Sequence, residues 1–169
     1  MNVSIVNYNP NWKTNFESEY QLLTASIEED EVFIEHIGST SIEGMGAKPI
    51  IDMMMGLKNF ETSRQHVTAI KAIGYEHVTK HDHLIPNRRY FTKKKDGIKT
   101  HHLHVVEYQS EIWNRHLEFR DYLRSNPDAR SEYYDLKLNL AKRNWNSGSE
   151  YADAKSEFIQ AILQKIKND

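Results

Sequence analysis

The stretch Glu35-His36-Ile37-Gly38-Ser39-Thr40-Ser41-Ile42-Glu43-Gly44-Met45-Gly46-Ala47-Lys48-Pro49-Ile50-Ile51-Asp52-Met53-Met54 decides how this chain is read. It passes from an apolar strand through a Gly-Ser turn and a small-residue loop to Lys48-Pro49. A second apolar strand follows that carries one acid, Asp52. Burying an ionised Asp costs several kcal/mol unless it is paired or binds a cation. A Gly-Ser turn upstream of such an acid suits a phosphate-and-metal site, because glycine permits close backbone approach and N–H groups with a hydroxyl cradle an anion. Taken alone, Gly38-Ser39 also reads as a strand-ending turn, and Asp52 as a strand acid paired with an arginine.

Working outward, the 169 residues are one domain's worth, and 27% charged with 38% hydrophobic residues describes a globular chain. No apolar run reaches the ~18 residues of a membrane helix. Met1-Asn2-Val3-Ser4-Ile5-Val6-Asn7 lacks the basic and apolar regions of a signal peptide. The absence of cysteine excludes disulfides and thiolate metal sites and suits a cytoplasmic location. A formal charge of -2 gives no bulk case for nucleic-acid binding.

Trp12, Phe16, Tyr20 and Leu23 recur at helical spacing after Asn9-Pro10-Asn11, with Asn9 or Asn11 as cap. Glu31 to His36 reads as a first strand, and Lys48 to Met55 as a second that Gly56 ends. Residues 59–73 read as a helix closed by Gly74, with a short strand at Gly74–Val78. Arg88–Lys94 and Lys99–Val106 flank Asp96-Gly97, a strong hairpin signal. From Ser110 the pattern is helical: one helix to Asn126-Pro127, a second to about Arg143, then a break at Asn146–Ser149. Tyr151, Ala154, Phe158, Ile162 and Ile166 mark one last amphipathic helix. The stripe of Trp113, Tyr133, Tyr134, Trp145, Tyr151 and Phe158 reads as helix-packing core. Mixed strands followed by helices give an α+β fold: a sheet unit at about 1–108 with a helical part at about 109–169 packed on it, in a single domain.

His36-Ile37-Gly38-Ser39-Thr40 followed by Ala47-Lys48-Pro49-Ile50-Ile51-Asp52 resembles the signature of the GrpB family. His102-Leu103-His104-Val105, Phe119-Arg120-Asp121-Tyr122-Leu123-Arg124 and Tyr133-Tyr134-Asp135-Leu136-Lys137 continue the likeness in order, from Asn9-Pro10 to the C-terminal helix. That family is classed with nucleotidyltransferases of the DNA polymerase beta-like superfamily, and its domain occurs fused to dephospho-CoA kinases in some bacteria. The resemblance implies a nucleotidyltransferase-like mixed sheet flanked by helices. It also implies a nucleoside triphosphate with its phosphates on Gly38 and Ser39, and a divalent metal on Asp52. Such transferases carry two acids two residues apart on one strand face. Here the second position is Met54, a poor ligand for a hard cation.

His102 and His104 share one strand face, with Leu103 and Val105 on the other. In the implied fold they stand where a later strand supplies a third carboxylate. With Asp52 they would bind Mg²⁺ or, better, a transition metal, or serve as general base. The alternative is a polar pair bonded to neighbouring backbone. His36 would contact a phosphate or orient Asp52, or hold a structural bond. Lys48 would reach a triphosphate, and Arg88 or Arg89 would clamp an anion; the alternative is solvated strand-end cations. Arg120 and Arg124, at i and i+4, would form a wall for an anionic acceptor, or with Asp121 and Lys137 an ion-pair network joining helices to sheet. The sequence thus predicts metal-assisted nucleotidyl transfer from a nucleoside triphosphate to a small acceptor, with neither nucleic acid nor membrane as partner. The alternatives are a catalytically inactive nucleotide- or anion-binding module, and a metal-dependent enzyme of another reaction class using a His-Asp site. Oligomeric state is not encoded in any motif.

Overall fold

The computed structural model describes residues 1–27 and 32–169. Glu31, the expected start of the first strand, lies outside them. The elements run α1 (Asn11–Ser26), β1 (Val32–Ile37), β2 (Ile51–Leu57), α2 (Ser63–Ala72), β3 (Tyr75–His77), β4 (Arg88–Lys95), β5 (Ile98–Glu107), α3 (Glu111–Ser125), α4 (Pro127–Ala141), α5 (Gly148–Asp153) and α6 (Ser156–Asn168). Short 3₁₀ turns occupy Ser39–Ser41 and Phe60–Thr62. Among the described residues no helix is long and apolar enough to cross a membrane.

The sheet has five strands in the order β1-β2-β5-β4-β3. β2 and β5 pair in parallel and every other pair is antiparallel. Asp96 and Gly97 both have positive φ (52° and 79°), the two-residue turn that Asp-Gly favours, and Lys95 faces Ile98 across it. The expected α+β architecture is therefore present.

Strand alternation sorts the sheet's two faces. Ile51, Met53, Met55 and Leu57 of β2 join Phe91, Leu103 and Val105 beneath Trp12 and Leu23 of α1 and Ile70 of α2. On the other face Ile37, Met54 and Val106 pack against Trp113 of α3. With apolar residues on both faces, β2 is the central buried strand of a three-layer arrangement. It runs through Gly56 instead of stopping there. A Cβ on Gly56 would lie 2.8 Å from the Trp113 ring, so glycine lets that indole close on the strand.

Two other boundaries differ from the sequence reading. The helix expected over 59–73 opens with a 3₁₀ turn because the Asn59 side chain accepts from the Glu61 amide. The last helix is two: α5, capped by Ser147 accepting from the Glu150 amide, and α6, with Ala154 and Lys155 at the break. The aromatic stripe is core as expected. Tyr133 packs with Ile42, Met45 and Leu123, and Tyr151 with Val3 and Leu140.

Arg120 fastens the helical part to the sheet. Its guanidinium donates to Glu35 Oε2 at 2.6 Å, the His36 carbonyl at 3.0 Å and Asp121 Oδ1 at 2.8 Å. The guanidinium is buried while both carboxylates reach solvent. Arg120→Ala is expected to lower stability by about 2 kcal/mol, below the ~3–5 kcal/mol for breaking fully buried pairs, because the orphaned acids can hydrate. Urea unfolding followed by circular dichroism measures it.

Candidate functional site at the Asp52 end of the central strands

The parallel register sets Asp52 beside His102 and Met54 beside His104. His102 Nδ1 lies 2.9 Å from Asp52 Oδ1. An ionised carboxylate only accepts, so Nδ1 carries a proton, and in the neutral ring Nε2 then keeps a lone pair. That Nε2 is buried and has no hydrogen-bond partner among the described residues. Burial pushes the Asp52 carboxyl up, but the hydrogen bond from His102 and nearby positive charge, Lys155 included, outweigh it, and its pKa is lowered. The Asp52 side chain is still 32% exposed, so the floor that this pair forms is partly open to solvent.

Gly38 closes one side of that floor. Its backbone, φ 70° and ψ -174°, belongs to a region open essentially to glycine. A Cβ there would stand 2.7 Å from Asp52 Oδ2. Ser39 begins the following 3₁₀ turn, and its side chain is hydrogen-bonded to Tyr133 of α4.

Cations surround this acid. Lys48 Nζ lies 4.0 Å from the centre of the Tyr151 ring, and Lys155 Nζ lies 4.6 Å from the same centre. Burial lowers the pKa of Lys48, and takes Lys155 to about 8; the Asp52 charge works against the shift in both. Neither forms an ion pair among the described residues. Lys137, only 3% exposed, donates to the Gly46 carbonyl at 2.6 Å, and burial followed by the Lys155 charge lowers it to about 7.

His104 is held differently from His102. Its Nδ1 faces Arg88 Nη1 at 3.5 Å, and its ring lies near those of Tyr90 and His116. Burial, then the His116 charge, lowers its pKa to about 3, so it is neutral at physiological pH. A guanidinium only donates, which turns the Nδ1 lone pair toward a cation.

The expected metal set does not converge. Met54 is fully buried under α3, Asp52 Oδ1 is taken by His102, and His104 Nδ1 faces Arg88. Among the described residues no three His, Asp or Glu side chains could together hold a metal ion. The residues present do not fit a metal centre.

Other expected site residues lie apart from Asp52. His36 points to the opposite face, stacks on Phe16 at 4.8 Å and bonds Thr40 Oγ1 at 2.9 Å. Arg89 also turns to that face, donating to Ser63 Oγ at 2.7 Å, and Arg88 is the one beside His104. Arg120 is the fastener described above, and Arg124 donates to the Ser41 carbonyl at 2.7 Å. His36, Arg120 and Arg124 line a surface groove of about 550 Å³ between α1 and α3 that does not include Asp52. Conversely, Lys155, Tyr151, Tyr133, Tyr90 and His116 belong to the surroundings of Asp52, which no spacing in the sequence announced. Of these, Tyr133 stands in the Tyr-Tyr-Asp-Leu-Lys run that carries the family likeness.

A family model described as GrpB protein matches residues 2–165. The chain belongs to the GrpB family. The glutamate-rich protein GrpB of Alkalihalophilus pseudofirmus is 39% identical over 168 residues, covering 97% of this chain and 95% of that one. The YqkA protein of Bacillus subtilis is 39% identical over 165 residues, 98% of this chain but 47% of that protein, so the chain spans about half of that relative. The crystal structure of the conserved protein GrpB from Enterococcus faecalis superposes with a TM-score of 0.84 at 34% identity, covering 96% of each chain. The GrpB fold is thus established along the chain.

Two tests follow from this geometry. Gly38→Ala forces a left-handed alanine and a contact on Asp52 Oδ2, so a loss of at least ~1 kcal/mol in urea unfolding is expected. His36 is buried and neutral, its pKa lowered by burial to about 4 against the Asp52 charge, with Arg124 and Arg120 adding to the fall. The unfolded chain therefore takes up this proton first, and stability falls as pH drops from about 6.5 toward 4. From about pH 7 to about pH 5 the share is about 2 kcal/mol. Replacing His36 by Phe, which keeps the stack on Phe16, should flatten that part of the melting temperature–pH curve.

Proposed function

We propose that this GrpB protein binds the phosphates of a nucleotide-class small molecule at the partly exposed site around Asp52. One observation carries the reading: Lys48 and Lys155 gather on the Tyr151 ring within electrostatic reach of a single carboxylate already bonded to His102, and neither lysine has an acidic partner among the described residues. Unpaired ammoniums in a partly buried pocket are costly unless an anion joins them. The Gly38–Ser39 turn adds a place where backbone and hydroxyl can approach a phosphate.

The binding reading is favoured over two-metal nucleotidyl transfer. That chemistry places carboxylate oxygens around both ions, and here Met54 is sealed beneath Trp113. If a group is transferred at this site, His102 is the residue able to accept a proton, through the Nε2 lone pair that its bond to Asp52 leaves free. An acceptor would be a small molecule, since a net charge of -2 gives the chain no bulk attraction for a polyanion.

Thermal unfolding with a panel of nucleoside mono-, di- and triphosphates tests this. A ligand at one hundred times its Kd adds about 2.7 kcal/mol. At roughly 2–4 °C per kcal/mol for a chain of this size, the melting temperature should rise by about 5 °C or more. Lys48→Met should remove most of that rise. No shift with any nucleotide would overturn the reading.

A further inference from the structure

Granted the phosphate site proposed above, the remaining question is what balances the ligand's charge. A divalent cation that bridges protein and phosphate needs free carboxylate oxygens on the protein. Asp52 offers few: Oδ1 is engaged by His102 at 2.9 Å, and Oδ2 lies against Gly38, where a methyl group would come within 2.7 Å. The neighbouring position on the same strand face is Met54, fully buried among Ile37, Val106 and Trp113, so no oxygen can be recruited there by a rotamer change. His104 turns its Nδ1 to the Arg88 guanidinium.

Positive charge is instead built into the chain. Lys48 comes from the loop before β2 and Lys155 from the break between α5 and α6, yet both ammoniums gather on Tyr151. The ring quadrupole holds such cations in place without neutralising them. Their charges reach Asp52, but neither makes an ion pair with it. A divalent ion placed here would be repelled by two ammoniums, whereas a phosphate would be attracted by them. Two buried polar atoms near this cluster, His102 Nε2 and the Tyr151 hydroxyl, also lack partners among the described residues. Such atoms are uncommon in folded chains, and an ordered water or a ligand atom completes their hydrogen bonding.

We propose that this site holds its phosphate ligand without a divalent metal, with the ammoniums of Lys48 and Lys155 in the electrostatic role that metal ions would otherwise fill. Asp52 then serves to orient His102 and to hold the lysines charged, and it opposes the bound anion. The residue that a metal site needs most is here the one that weakens binding.

Isothermal titration of the whole chain with inorganic triphosphate and with ATP, each in EDTA and in excess Mg²⁺, tests this. Binding in EDTA is expected to equal or exceed that in Mg²⁺. Lys48→Met and Lys155→Met, which keep the stem packed on Tyr151, should each weaken binding in EDTA by about tenfold, the effect of 1.4 kcal/mol. Asp52→Asn, which keeps the shape and removes the charge, should tighten it severalfold. Melting curves of each variant separate a lost site from a lost fold, and the wild-type comparison of EDTA with Mg²⁺ needs no variant. Binding that appears only with Mg²⁺, or that Asp52→Asn abolishes in a folded protein, would overturn the inference and leave the phosphate site standing. Absence of binding in both buffers would remove the phosphate site and this inference with it.

Discussion

The parallel pairing of β2 with β5 is the constraint on which this molecule depends. Parallel neighbours cannot be joined by a tight turn, so the chain must leave β2, form α2, β3 and β4, and return as β5 at the sheet's centre. That pairing buries β2 on both faces and fixes Asp52 opposite His102. A slip of one residue would turn His102 and His104 into the α1 face and bring Leu103 and Val105 to the site. The apolar demand of the core therefore holds the polar register of the site.

The two faces have different tasks. The α1–α2 face is an apolar core with His36 built into it as a neutral ring. The α3 face is divided. Toward its β1 side it packs Trp113 on Met54 and Gly56; at the Asp52 end it opens to residues from α4 and the α5–α6 break. Arg120 holds the helical part at the β1 edge. The Asp52 site thus lies where two parts of the chain meet, and its cations come from both.

Much of this was legible in advance. Asp96-Gly97 announced the hairpin because both positions need positive φ, and they have it. The alternation of His102, Leu103, His104 and Val105 separated a polar from an apolar face, and the structure separates them in the same way. Other residues misled for a physical reason. Arg88 and Arg89 are chemically equal in sequence, and only the strand register sends Arg88 to His104 and Arg89 to Ser63. Arg120 and Arg124 read either as an anion wall or as an ion-pair network joining helices to sheet, and spacing could not choose; Glu35, Asp121 and backbone carbonyls take their donors, which is the network.

The sequence by itself determined the family, the α+β class, the hairpin and the isolation of Asp52 beside a missing second acid, because local propensity, alternation and motif order are short-range properties. Tertiary structure alone decided that Asp52 bonds His102 while His104 turns to Arg88, and that Lys48 and Lys155 meet on Tyr151. Lys155 shows why. Its spacing from Tyr151 (i+4) and from Ile162 (seven residues before it) puts it on the apolar side of the last helical stretch, but the strand it faces lies about 100 residues away along the chain. Periodicity cannot report a contact made across that separation; only the packing of the helical part on the sheet brings it about.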